Sequence, residues 1–108
     1  MATTVEYRDY ILEQFHLAPD ISARKMMGEY VLYCRSKVLG GLYDNRLMVK
    51  PVPAARSLMP GAPEVPPYPG ARPMLEVEQV EDPAFLCRLA EAMWPELSAP
   101  APKRRKQP

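Results

Sequence analysis

The sequence predicts an α+β fold: an antiparallel sheet of about four to five strands, a three-stranded meander plus a later strand, flanked by amino- and carboxy-terminal helices. Two observations carry this. Apolar residues recur at helical spacing near both ends of the chain, and between Lys25 and Lys50 the pattern becomes that of strands separated by turn residues. The order α, β, β, β, short α, loop, β, α is that of a sheet with helices packed mostly on one face.

The first helix is expected over Thr3–Leu17, where Thr3 and Glu6 form a T-x-x-E capping box and Tyr7, Ile11 and Phe15 recur every four residues. Pro19 disfavours helix at Ala18, and His16 in the last turn suits the negative end of the helix dipole. Met26 to Arg35 is rich in Met, Tyr, Val and Leu and reads as one strand, with Gly28 as a bulge or a close approach of two backbones. Arg35, Ser36 and Lys37 make a polar turn into a second strand, Val38 to Tyr43. Asp44-Asn45 is a two-residue hairpin turn, because both residues tolerate positive φ, and it leads into Arg46 to Lys50. Gly40 and Gly41 sit mid-strand and need something packed closely against them, for which the first helix is the expected cover.

After Pro51, a short helix over Ala54–Met59 begins at Pro53 and stops at Pro60-Gly61. Ala62 to Gly70 reads as an extended proline-rich loop, and Arg72 to Val80 as a strand with charge on one side. The last helix starts near Asp82 with Pro83 at its first position and places Phe85, Leu86, Leu89, Ala90 and Met93 on one face, with Pro95 at its end.

At 108 residues there is room for one domain. Residues 1–97 are assigned to it, and 98–108 to a disordered Pro/Ala and Lys/Arg-rich tail. Charge divides the same way: residues 1–102 hold ten Lys/Arg against thirteen Asp/Glu, whereas Lys103, Arg104, Arg105 and Lys106 add four cations. The mildly acidic balance of the body argues against general attraction to nucleic acid across its surface. Contact with a polyanion falls to the tail, where four cations give a log–log salt slope of about −3 to −4 and no sequence preference. No apolar run approaches a membrane span, and Glu6, Arg8 and Asp9 interrupt the amino end where a secretory signal is apolar. The expected location is the cytoplasm.

Catalytic combinations are sparse. Cys34 with His16 is considered as a thiol dyad, with Arg35 and Lys37 nearby to favour a thiolate, but nothing in the sequence brings the two together. Glu76, Glu78, Glu81 and Asp82 lack the spacing of a calcium loop. Gly40-Gly41 lacks phosphate-cradle spacing. Cys34 and Cys87 lie 53 residues apart with no CxxC pattern and are expected as reduced thiols. Tyr30, Tyr33 and Tyr43 read as core and rim of the sheet rather than a base-stacking platform. Tyr68, within Pro66-Pro67-Tyr68-Pro69, is a candidate for a proline-reading partner, without a convincing PxxP ligand context. No catalytic, cofactor or metal residues are assigned.

The stretch Ile21-Ser22-Ala23-Arg24-Lys25-Met26-Met27-Gly28 resembles the amino-terminal domain of the TfoX/Sxy family of bacterial competence regulators. Tyr30 to Tyr33, Leu42-Tyr43-Asp44-Asn45-Arg46-Leu47-Met48-Val49-Lys50, Tyr68-Pro69-Gly70 and the Met74 strand continue the resemblance, from about Thr4 to Leu97. Met27 and Glu29 depart from it, since the family often has Phe and a further Gly there. The resemblance is to a stand-alone form without the carboxy-terminal domain of longer members. It implies an α+β regulatory module without catalytic residues, acting through a protein partner, either the transcription machinery or a second copy of itself. Weak DNA contact through the tail accompanies that expectation. The alternative is a protein-interaction or chaperone-like domain with no transcriptional role.

Overall fold

A computed structural model describes residues 2–18 and 20–98. In chain order the elements are α1 (Val5–Gln14), β1 (Ile21–Met26), β2 (Glu29–Cys34), β3 (Lys37–Leu42), β4 (Leu47–Val49), α2 (Pro53–Leu58), β5 (Glu64–Val65), β6 (Met74–Glu76) and α3 (Pro83–Met93), which runs into a 3₁₀ turn over Trp94–Glu96. The strands form one six-stranded sheet in the order β1-β2-β3-β4-β6-β5, antiparallel throughout. The α+β class and the flanking helices are as the sequence predicts, with more strands than the expected four to five.

The extra strands have physical causes. Met27 and Gly28 have φ of 53° and 84°, so Gly28 is no bulge: the pair is a two-residue hairpin turn, the expected strand Met26–Arg35 begins after it as β2, and β1 lies ahead of it where no strand was expected. Arg35-Ser36 and Asp44-Asn45 are also left-handed pairs, at 48° and 74° and at 55° and 56°, so three tight turns fold β1 to β4 into a continuous meander. Inside the proline-rich loop, Glu64 and Val65 pair with Leu75 and Met74, a two-residue edge strand whose brevity suits its proline neighbours. The expected strand Arg72–Val80 contracts to Met74–Glu76.

The start of α1 also differs. Its cap is Thr4, whose hydroxyl accepts from the Tyr7 N–H at 3.1 Å. Thr3 is instead buried and ties three segments together at one end of the sheet. Its N–H donates to the Gly28 carbonyl at 3.1 Å, its hydroxyl donates to Glu29 Oε1 at 2.7 Å, and that hydroxyl accepts from the Asn45 N–H at 3.2 Å. Glu29 Oε1 also accepts from the Asp44 N–H at 3.1 Å, and Asn45 Oδ1 from the Thr4 N–H at 3.0 Å. Asp44 and Asn45 are thus fixed from outside their own hairpin.

The core lies between the sheet and the helices. Ile11 and Phe15 of α1 and Phe85, Leu86, Leu89, Ala90 and Met93 of α3 pack with Leu32, Leu42, Leu47, Val49 and Leu75, and burying each large apolar side chain contributes about 1.5–3 kcal/mol. Asp82 caps α3 by accepting from the Phe85 N–H at 3.1 Å. The glycines are not covered by α1. A Cβ at Gly40 would run into the Met48 carbonyl and lie 2.7 Å from Val49 Cα, so the demand comes from the backbone of β4; at Gly41 it would lie 2.6 Å from the Tyr43 ring and 2.7 Å from the Tyr30 carbonyl oxygen. Residues Lys103 to Lys106 lie outside the described residues.

Candidate interaction site

The Tyr43 ring that occupies the space over Gly41 supports a second aromatic, Tyr68, with ring centroids 5.9 Å apart and planes tilted by 51°. Local sequence explains why Tyr68 stands there. In Tyr68-Pro69-Gly70-Ala71 the proline fixes its own φ, Gly70 takes a φ of 88°, and the Ala71 N–H donates to the Tyr68 carbonyl at 3.1 Å, closing a β-turn of type II character. Pro67 is buried beneath the loop while Tyr68 stays 55% exposed. The ring is therefore held by rigid backbone on one side and by Tyr43 on the other, yet remains open to solvent.

Two clefts meet at Tyr68. One, of about 380 Å³, is bordered by Glu29, Asp44, Arg46, Pro66 and Pro69. The other, of about 550 Å³, is bordered by Tyr43, Lys50, Val52, Arg72 and Met74. The first has two carboxylates and one guanidinium; the second has two cations and no carboxylate along its border. Arg46 is oriented by its Nε–H, which donates to the Tyr43 carbonyl at 3.3 Å, and by Glu76 at 4.0 Å. Burial raises the Tyr43 phenol above its ordinary pKa, reinforced by Tyr68 and Glu29, so it stays protonated at neutral pH. The arrangement is an aromatic crest between a mainly acidic and a basic hollow.

Cys34 is 1% exposed, and burial pushes its thiol pKa up, away from the thiolate a nucleophile needs. His16 is exposed in the turn after α1. Cys34 and Cys87 form no disulfide. Of the acidic run, Asp82 is spent on the α3 cap, and Glu76 and Glu78 border a separate cleft of about 410 Å³ with Leu58, Met59 and Gln79. Among the described residues, no group of three or more His, Cys, Asp or Glu is placed to hold a metal ion, and no helix is long and apolar enough to cross a membrane. Tyr30 is buried under the Arg8 guanidinium, 5.3 Å from its ring centroid, whereas Tyr33 alternates to the opposite side of β2. Sequence reasoning set Tyr68 aside. The Tyr-Pro-Gly triplet is the signal that fixes it, but its support by Tyr43 depends on a contact 25 residues away.

Fold and surface together define a small α+β domain of antiparallel meander type, with a rigid aromatic crest on its proline-rich loop. The chain belongs to the same family as the uncharacterised 12.7 kDa protein of the trpE 5′ region of Spirochaeta aurantia, with 36% identity over 110 residues, covering 98% of this chain and 91% of the relative. No family model matches the chain, and no solved structure matches it.

Proposed function

We propose that the chain is a non-enzymatic, cytoplasmic regulatory module of the TfoX/Sxy type that acts by binding a protein of the transcription machinery. The observation supporting a binding role is the Tyr68 crest. An aromatic ring presented on backbone already fixed by Pro67, Pro69 and Gly70 loses little conformational freedom when a partner covers it, which is the property of an interface anchor. Weak DNA contact through Lys103, Arg104, Arg105 and Lys106 is part of the same reading.

Affinity capture from the source cells tests the anchor. RNA polymerase or a transcription regulator is expected with the parent chain and lost with Tyr68→Ala, and identical captures from both overturn the assignment. A low-salt DNA gel shift unchanged when the four tail cations become Ala removes the DNA contact. A second reading, a protein-interaction or chaperone-like domain without a transcriptional role, is favoured by Met26 and Met27, which are 46% and 95% exposed at the first hairpin. Capture of unrelated unfolded clients, with no transcription protein, selects it.

A further inference from the structure

Strand β1 is an edge of the sheet, with β2 on one side only. The register identifies which backbone groups are spent. Met26 and Glu29 close a two-residue turn and so form a hydrogen-bonded pair, as do Arg24–Val31 and Ser22–Tyr33, and the Arg35 N–H donation to the Asp20 carbonyl at 3.1 Å continues the alternation. The N–H and C=O groups of Ile21, Ala23 and Lys25 therefore point away from β2. Long edge strands of this kind are normally blunted by charged side chains, proline, a bulge or extreme brevity, and of these β1 carries only the charges, Arg24 and Lys25. Here β1 has six residues, no proline and an unbroken register with β2.

Apolar exposure follows the same side of the sequence. Of the six large apolar residues exposed among the described residues, five (Val5, Tyr10, Leu17, Met26 and Met27) belong to α1, β1 and their adjoining turns. Met27 holds a positive φ of 53° while 95% exposed, where Asn, Asp or Gly fits more easily.

We infer that β1 pairs antiparallel with β1 of a second copy of this chain, with Ala23 on the two-fold axis. The exposed groups restrict the register. An outward-facing residue must meet an outward-facing one, so the axis passes through one of the five residues from Ile21 to Lys25; Ile21 leaves a single pair, and Lys25 sets two ammonium groups opposite each other. Centring on Ser22 leaves only a three-residue ladder within the strands, and centring on Arg24 sets two guanidinium groups opposite each other. Centring on Ala23 pairs Ile21 with Lys25 and Ser22 with Arg24, giving about six intermolecular hydrogen bonds with no like charges opposed. This register is also charge-complementary. Because α1 starts beside Gly28 and ends before Asp20, each Lys25 arrives near Asp20 and the carboxyl end of the other copy's α1, a negative helix end with no basic residue in its last turn. The two sheets join into one of twelve strands. The pairing does not depend on the reading of Tyr68.

Sedimentation and disulfide trapping of the full chain decide it. The parent is expected to be a dimer at about 100 μM, by mass action. Ala23→Cys is expected to form a disulfide-linked dimer under mild oxidation at least about tenfold faster than Ser22→Cys or the parent, because only Ala23 meets itself across the axis. Ala23→Pro, which removes an N–H that points away from β2, is expected to be a folded monomer. A monomeric parent, equal trapping at positions 22 and 23, or a folded Ala23→Pro dimer overturns the inference. If Ala23→Pro does not fold, the trapping comparison alone decides.

Discussion

Replacing Thr3 with Val tests whether the first described residues hold the sheet together. Valine keeps the shape and removes the hydroxyl, which donates to Glu29 Oε1 at 2.7 Å and accepts from the Asn45 N–H at 3.2 Å. A hydrogen bond to a charged group is worth about 1.5–3 kcal/mol, and an ordinary one about 1 kcal/mol. The Asn45 donor sits in an exposed turn where water replaces the lost acceptor, so the Glu29 bond dominates and the expected loss is about 2 kcal/mol. With a urea slope of about 1.3 kcal/mol/M, reasonable for a domain of this size, the midpoint falls by about 1.5 M. Thr3→Ser keeps the hydroxyl and loses one methyl, about 0.8 kcal/mol or roughly 0.6 M. The order is therefore Val much worse than Ser, followed by circular dichroism or by Trp94 fluorescence. A Val variant no less stable than the Ser variant refutes the argument, because the loss would then lie in packing. In a Glu29→Ala background the Thr3→Val penalty is expected to shrink to about 0.5 kcal/mol, since the acceptor is already gone.

Three further outcomes follow from the geometry. Gly40→Ala places a Cβ against the Met48 carbonyl and Val49 Cα, backbone atoms that cannot swing aside, and is expected to cost more than about 3 kcal/mol in urea unfolding; a near-neutral variant would show that β3 and β4 separate readily. Ellman's reagent at pH 8 is expected to label the half-buried Cys87 quickly and Cys34 only on unfolding, since burial both shields Cys34 and raises its pKa, and rapid labelling of the Cys87→Ser variant contradicts this. Glu64 is held below its ordinary pKa of 4.5 by the two hydrogen bonds from Arg56, at 2.7 and 3.0 Å. A depressed carboxylate pKa stabilises the fold above its unfolded value and loses that contribution as pH falls through the folded one. Glu64→Gln is therefore expected to lower the thermal midpoint at pH 7 but not at pH 2, and an equal shift at both pH values rules out the charge.

What was legible in the sequence was local. The α3 face, its Asp82 cap with Pro83, the Asp44-Asn45 turn and the Pro53 helix start each rest on signals within a few residues, and each is where it was expected. The failures came where distant groups outweighed a local signal. Thr3-x-x-Glu6 is a good capping box on paper, but Glu29 and Asn45, 26 and 42 residues away, claim the Thr3 hydroxyl and pass the cap to Thr4. Met27-Gly28 was unreadable as a turn because Met is a poor left-handed residue, so the continuous Met, Tyr and Val run masked the reversal. For Gly40, a need for close approach was visible, but not which backbone approached. The Tyr68 crest requires Tyr43 as its support, a pairing that no periodicity encodes.

The two surface features differ in a way that bears on how the domain works. Neither cleft beside Tyr68 includes a residue of β1 along its border, and β1 lies at the opposite sheet edge from the β5–β6 pair that carries the proline-rich loop. The proposed pairing through β1 would leave both crests open, and such a dimer would offer two identical anchors on one twelve-stranded frame. A partner with two matching segments gains affinity from the second contact without any change in the first, provided its spacing fits the frame. Weak grip at each Tyr68 and tight binding by the pair are then compatible. The consequence is specific: Ala23→Pro, which touches no residue of either cleft, weakens capture of a two-site partner, but less than Tyr68→Ala, which removes both contacts, and leaves capture of a one-site partner unchanged.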